Sequence, residues 1–324
     1  MQEYFAISTI LQSVAIIFPI LIFVAFFVYA ERKIIGAIQL RKGPSVVGPF
    51  GLLQSFADAI KGMNKEIIIP NKAHKILFFV APILTFSLAL FGWAVIPFEN
   101  FVFADINVGV SYILAISSIA VYGVIIAGYS SQSKYSFLGA IRSASQMISY
   151  EVSIGFCILC VLIMSESLNL TDVVNAQKNM WFAIPLFPVF IIFIIGILAE
   201  TNRHPFDLPE AESELVAGYS TEYSSMPFVL LFLGENMNIV LMSTFCVLLF
   251  LGGWHPPFEF LSFIPSIIWF LLKIFFVLYI FILVRAALPR YRYDRLMAIN
   301  WKILMPIAFA YFVILAFLKY YSII

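Results

Sequence analysis

The sequence predicts an all-α polytopic membrane protein with eight transmembrane helices, an amphipathic interfacial helix in its first inner loop, and both termini on the outer side. Three observations predict this class. Of 324 residues, 62% are hydrophobic and only 11% charged, and the mean hydropathy is +1.00, a balance that cannot keep a globular surface in water. The apolar residues run in stretches that reach the ~20 residues a helix needs to cross a bilayer. The basic residues gather in alternate loops, which sets the direction of each crossing. The whole chain, 1–324, reads as one integral membrane domain.

The spans fall at approximately 7–30, 75–97, 108–130, 146–167, 180–199, 227–252, 264–287 and 301–320. Arg32, Lys33, Arg41, Lys42, Lys61, Lys65, Lys72 and Lys75 separate the first two; Lys134 and Arg142 follow the third, Arg203 the fifth, and Arg290, Arg292 and Arg295 the seventh. The intervening loops offer only Lys178. The odd loops, about 31–74, 131–145, 200–226 and 288–300, are therefore inner. No Lys or Arg precedes the first apolar run, so it reads as a retained span. Pro19, Pro82, Pro185, Pro188 and Pro306 lie within spans and predict kinks or early ends.

In the first inner loop, Gly43-Pro44 and Gly48-Pro49 break the chain, and residues 50–65 then follow helical spacing. Leu53, Phe56, Ala57 and Ile60 share one face; Gln54, Asp58, Lys61 and Lys65 share the other. Such a helix lies in the interface plane. Periodicity alone leaves open whether it anchors the loop or lines a ligand.

The densest chemistry is in residues 198–226, where Glu200, Asp207, Glu210, Glu212, Glu214 and Glu222 stand against Arg203 alone. Pro205 and Pro209, with the apolar Phe206, Leu208, Leu215 and Val216, predict a segment folded back onto protein. Carboxylates that lose water in this way titrate as coupled groups. Glu31 and Glu200 close spans one and five, while Glu151 and Glu235 are expected ~7 and ~12 Å deep in spans four and six at 1.5 Å per residue. All four then fall in the inner half of the membrane. An unpaired ionised acid there costs at least a few kcal/mol, so each is expected to be paired, wet or protonated, with Arg32, Arg142, Arg203 and Lys273 as available cations. Taken singly, each suits a structural ion pair. Their confinement to one side favours a connected hydrophilic path from the loop into the membrane.

Other functions are excluded or disfavoured. A net charge of +1 gives no basic surface for nucleic acid. Cys157, Cys160 and Cys246 lie in apolar runs and read as small buried residues, not redox or metal ligands. His74, His204 and His255 are too scattered to ligate haem, and no Gly-rich nucleotide loop occurs. No metal is expected, and redox centres belong on other chains. The turn at 252–257 suggests no site. The acids would also suit an autonomous secondary proton or cation transporter or channel; the lack of an internal repeat and the large ordered inner loops weigh against it.

With these residues in view, the chain resembles a membrane component of the proton-pumping NADH:quinone oxidoreductase, respiratory complex I: the one numbered 1 in mitochondria and lettered H in bacteria. The motifs that carry the resemblance are Ala30-Glu31-Arg32-Lys33, Gln39-Leu40-Arg41-Lys42-Gly43-Pro44, Gly51-Leu52-Leu53-Gln54 with Ala57-Asp58, and Ser133-Lys134-Tyr135. They continue in Gly139-Ala140-Ile141-Arg142, Ser149-Tyr150-Glu151, Ala199-Glu200-Thr201-Asn202-Arg203, Pro205-Phe206-Asp207-Leu208, Glu212-Ser213-Glu214-Leu215-Val216 and the run from Arg285 to Asp294. His204, where the family more often has a small or apolar residue, would add a group titrating near neutrality. Ser145 stands where Ala is usual.

The resemblance implies eight transmembrane helices in an energy-transducing inner membrane, either mitochondrial or the bacterial plasma membrane. It implies a quinone-access chamber lined by Arg32, Arg41, Leu53, Phe56, Ala57, Asp58, Arg203, Phe206 and Asp207, which resolves the role of residues 50–65 towards ligand lining. It also implies a proton relay through Glu31, Glu151, Glu200, Asp207, Glu210, Glu212, Glu214, Glu222 and Glu235, with Arg203 holding the acidic loop in register. No catalytic residue or cofactor is expected on the chain itself. Ubiquinone is the expected substrate in a shared chamber; FMN, NADH and iron-sulfur clusters belong to partners. Those partners are the hydrophilic subunits carrying the quinone site and the terminal cluster, small membrane-arm subunits, and surrounding phospholipids.

Overall fold

A computed structural model describes residues 2–99, 101–207, 217–261 and 263–321. Its described residues form eleven α-helices: α1 (Gln2–Ile38), α2 (Gln54–Met63), α3 (Lys75–Gly92), α4 (Gly109–Ser130), α5 (Lys134–Ser165), α6 (Leu170–Ala176), α7 (Phe187–Glu200), α8 (Ser225–Phe250), α9 (Ser266–Ala287), α10 (Tyr293–Ile299) and α11 (Met305–Tyr320). Seven helical stretches are long and apolar enough to cross a membrane, the last being α10 and α11 joined through a π-helical turn. The all-helical membrane class follows directly.

The fifth expected span differs. Pro185 and Pro188 delay its helix, so α7 has only 14 residues, ~21 Å of rise against a hydrocarbon core of ~30 Å. Two inner loops are also shorter than their polarity suggested. Residues 134–145 are the first turns of α5, because no proline interrupts Lys134–Ser165, and small residues there allow close packing. A Cβ on Gly139 would stand 2.8 Å from the Gly218 backbone, and one on Gly128 would stand 2.3 Å from Ala140. Most of 288–300 is likewise helical, in α10. Consequently Glu151 lies in the middle of α5 instead of near its start.

The bundle is arranged around α8, the most deeply buried long helix. Helix α3 packs between α4 and α8, α5 against α4 and α7, and α11 outside α5. Val240, Phe245, Cys246 and Leu249 of α8 meet Phe193 of α7 and Phe250 in the core, together with Cys157 and Cys160 of α5. These three cysteines are buried free thiols. Helix α1 leans on α8 and α9, and the short α2 lies against α1 and α8.

Lys273 pairs with none of the described acids. Its ammonium donates to the carbonyls of Leu251, Gly253 and His255 at 2.6, 2.9 and 2.7 Å and lies 4.4 Å from the centre of the Trp181 ring. The turn passed over in the sequence is thus a carbonyl cage that ties α9 to the end of α8. Three charge-assisted bonds satisfy all three ammonium protons. Lys273→Met would strand the carbonyls and is expected to cost about 3 kcal/mol. A thermal midpoint equal to that of the native protein would refute the staple.

Candidate functional site

The first inner loop is held between α1 and α8. The Tyr29 hydroxyl donates to the Phe50 carbonyl at 2.8 Å, Ser225 to the Lys65 carbonyl at 2.6 Å, and the Ile68 amide to Ser224 at 2.9 Å. On α2, Asp58 accepts from Arg32 and from Gln54, and Phe56 sets its ring edge against Phe26 at 6.0 Å. Burial pushes the Asp58 carboxyl up, but the hydrogen bonds from Arg32 and Gln54 and the charges of Arg32 and Lys61 outweigh it, holding it below the ordinary carboxylate range. Leu53 and Ile60 remain 51% and 60% exposed, and no α2 residue is fully buried. The apolar face predicted from periodicity therefore exists but is covered only in part by the chain itself, Phe56 and Ala57 being half-buried. Ala57 shares this helix; Arg41 turns away from the group and bonds Gln39 at 2.8 Å.

The returning acidic segment is folded onto protein wherever it is described. Gln146 of α5 donates to the carbonyls of Ala199 and Phe206 at 2.8 and 2.9 Å, and Asn202 donates to Ser143 at 2.8 Å. The buried Phe206 ring lies between Tyr150 and Tyr291. On the far side, Ser136 donates to the Tyr219 carbonyl at 3.1 Å, and Tyr223 stacks on Phe78 at 4.2 Å. Burial pushes the Tyr223 phenol up to about 12 despite its bond with Ser130. Glu222 is partly buried. Glu210, Glu212 and Glu214 lie outside the described residues.

Among the described residues, Arg203 pairs with no acid of its own loop. Its guanidinium reaches into the bundle, 3.4 Å from Glu31 and 2.6 Å from Asn236 Oδ1. Arg285 meets the same Glu31 oxygen at 2.5 Å. The loop's own acid, Asp207, pairs instead with Arg290 at 3.4 Å. The sequence offers a reason for the exchange: Arg203 is three residues past the end of α7, so the chain reverses and carries the side chain inwards beside α1 and α8. His204 follows it into partly buried surroundings. Burial, then the charges of Arg290 and Arg285, hold its imidazole below the ordinary histidine value. Both effects favour its neutral form.

Beside this node lies a cavity of about 60 Å³ whose wall is largely apolar, Ile113, Leu231 and Met242 among it, and whose polar lining is Glu200, Thr201 and Asn202 at the end of α7, Glu235 and Asn238 of α8, Tyr219, and Ser117 of α4. That is room for a few water molecules, each needing ~10–15 Å³ by the same measure and two or more polar partners. The Tyr219 hydroxyl donates to Glu235, and Ser117 reaches Glu200. Glu151 accepts from Ser118, one residue from Ser117, and lies close enough to Glu200 to interact electrostatically with it. Asn236, which grips Arg203, is next to Glu235 on α8.

The structure thus brings Glu31, Glu151, Glu200, Glu235 and Arg203 into adjoining polar groups, and places Arg32, Phe56 and Asp58 together on a separate inner-loop surface. Sequence reasoning missed Arg285, Asn236, Tyr219, Ser117, Ser118 and Arg290. Asn236 gave a signal, being a buried amide beside an acid in an otherwise apolar run; the serines gave none. Among the described residues, no group of three His, Cys, Asp or Glu could hold a metal.

The fold and the site define a multi-pass helical membrane protein whose core holds hydrogen-bonded carboxylates beside a small cavity. Residues 11–316 match the model of the family described as NADH dehydrogenase. The chain is 59% identical over 308 residues to the H subunit of NADH-quinone oxidoreductase from Rhodospirillum centenum, covering 94% of this chain and 92% of that protein. It is 59% identical over 310 residues to the protein of the same name from Paramagnetospirillum magneticum, covering 95% and 91%, and 58% identical over 326 residues to that of Wolbachia pipientis wMel, covering 95% and 96%. The chain belongs to the NADH dehydrogenase family of membrane subunits.

Proposed function

We propose that this chain is a membrane-arm subunit of the proton-pumping NADH:ubiquinone oxidoreductase, lining the quinone-access chamber and coupling quinone reduction to proton movement through its embedded acids. The names of its relatives support the first half. One observation carries the second: Glu200 and Glu235, from different helices, face a single small cavity in an otherwise largely apolar wall, with Glu151 joined to it through the Ser117–Ser118 edge. Quinone reduction nearby changes local charge and proton demand. Asp207, Glu210, Glu212, Glu214 and Glu222 respond at the chamber, and Glu200, Glu151, Glu235 and Glu31 pass the change inwards. Positive-inside sidedness puts the chamber on the cytoplasmic or matrix face. Redox cofactors act from partner subunits; this chain supplies walls, charge and proton sites.

Arg32, Leu53, Phe56, Ala57 and Asp58 support the chamber assignment, because α2 is braced by Arg32–Asp58 while Leu53 and Ile60 of its apolar face stay exposed. Arg41, Phe206 and Asp207 complete the proposed wall, and Arg203 acts from behind it through Glu31. Phe56→Trp adds bulk on that face. In the assembled complex it is expected to raise the apparent quinone KM about five-fold, the effect of modest overpacking, with kcat little changed. An unchanged KM would reduce α2 to an anchor.

A further inference from the structure

We propose that Asn300 is a positioning residue for Glu151, its amide pinning one face of α5 so that the carboxyl on the opposite face meets α4. This role presupposes the relay proposed above, in which Glu151 takes part. Asn300 is fully buried and opens the π-helical turn between α10 and α11. Its Nδ2 donates to the Ser149 carbonyl at 2.6 Å, and its Oδ1 accepts from the Ser153 hydroxyl at 2.6 Å. Those serines stand two residues either side of Glu151, so at ~100° per residue each lies about 160° around α5 from it. The carboxyl of Glu151 accepts from Ser118 on α4. This stretch of α5 is thus gripped by α4 through Glu151 and by the π turn through Asn300.

The π turn brings the amide into register. Leu296, Asn300, Leu304 and Ala308 recur every fourth residue and are each at most 6% exposed. In a regular α-helix every fourth position drifts by ~40°, which would spread these four over ~120°. The wider turn at Asn300–Leu304 absorbs part of that drift and leaves them on one buried stripe. Such turns are rare and recur at functional sites. On the face of α5 that carries Glu151 the support is thin: a Cβ on Gly155, four residues on, would meet nothing within 4 Å. The carboxyl stands roughly 6 Å from the helix axis, ~2.3 Å of it backbone radius, so a roll of about 10° displaces it by ~1 Å. Misplacement of that order costs up to about a hundred-fold in a positioned reaction. A smaller loss is expected on replacing Asn300, because Tyr150 keeps its bond to the Leu296 carbonyl at 3.1 Å and Ser145 its bond to the Tyr293 hydroxyl at 2.9 Å. Those two bonds also keep α10 docked on α5.

The test compares Asn300→Leu, which keeps the volume and loses both hydrogen bonds, with Leu304→Ala, which opens a cavity in the same stripe and removes no side-chain bond to α5. Electron cryo-microscopy of the assembled complex should show the Ser118–Glu151 contact opened beyond ~3.5 Å in Asn300→Leu and kept in Leu304→Ala. Quinone-coupled turnover should fall about three-fold in Asn300→Leu, the effect of a partial displacement. Added to Glu151→Gln, Asn300→Leu should cause no further fall, because the two act through one group. Leu304→Ala should melt lower and turn over normally. An intact contact in Asn300→Leu, or an equal fall in both backgrounds, would overturn the positioning role. An opened contact with native turnover in Glu151→Gln would uphold the placement of Glu151 by Asn300 and overturn the relay instead.

Discussion

Glu235→Gln is expected to leave the complex assembled and electron transfer from NADH to a hydrophilic acceptor intact, while quinone-coupled turnover and proton pumping fall several-fold. Glutamine keeps the shape and can still accept from the Tyr219 hydroxyl that meets Glu235. What it loses is the exchangeable proton. A positioned proton-transfer group contributes roughly a hundred-fold or more where nothing substitutes for it. The smaller loss is expected because Glu200 faces the same cavity and can exchange with part of the same water. Glu200→Gln should behave alike, and the double variant should lose more than either. Normal pumping and turnover in Glu235→Gln would take this residue out of the path.

Glu31→Ala should produce a large loss of stability, comparable to that of Lys273→Met. Glu31 is 8% exposed and sits between Arg203 and Arg285, with Asn236 behind Arg203. Removing it leaves two cations facing each other beside Phe27 and Phe281. Breaking a buried pair costs ~3–5 kcal/mol, but the Arg285 side chain is 39% exposed and keeps some water, so about 2–3 kcal/mol is expected. Arg32→Ala is the control. It breaks an exposed pair with Asp58 and should cost no more than ~1 kcal/mol. Thermal melting of the purified complex and its yield from membranes read both. Equal losses would show that burial of the Glu31 node adds nothing.

The membrane class was legible because hydropathy and charge asymmetry are properties of long stretches, which tertiary packing does not override. The acids were legible for a related reason: a carboxylate inside an apolar run must have a compensating environment, so its position alone announces a site. Their partners were not. Arg285 stands at the far end of a different helix from Glu31, and only the lean of α1 on α9 brings the two together. Lys273 looked like a cation awaiting an acid, yet backbone carbonyls satisfy it, and carbonyl positions depend on how a turn closes. The start of α5 was misplaced because its polar first turns imitate a loop; Gly128 and Gly139 make room for neighbouring chain at distances no spacing rule supplies.

On the proposed function, carboxyl groups around one cavity change protonation when quinone is reduced nearby. Infrared difference spectroscopy of the assembled complex, recorded between oxidised and reduced quinone, reads protonated carboxyls directly through their C=O stretch. A carboxyl band change is expected on reduction, with a component missing in Glu235→Gln and another in Glu200→Gln. An identical band change in the native complex and in both variants would contradict it.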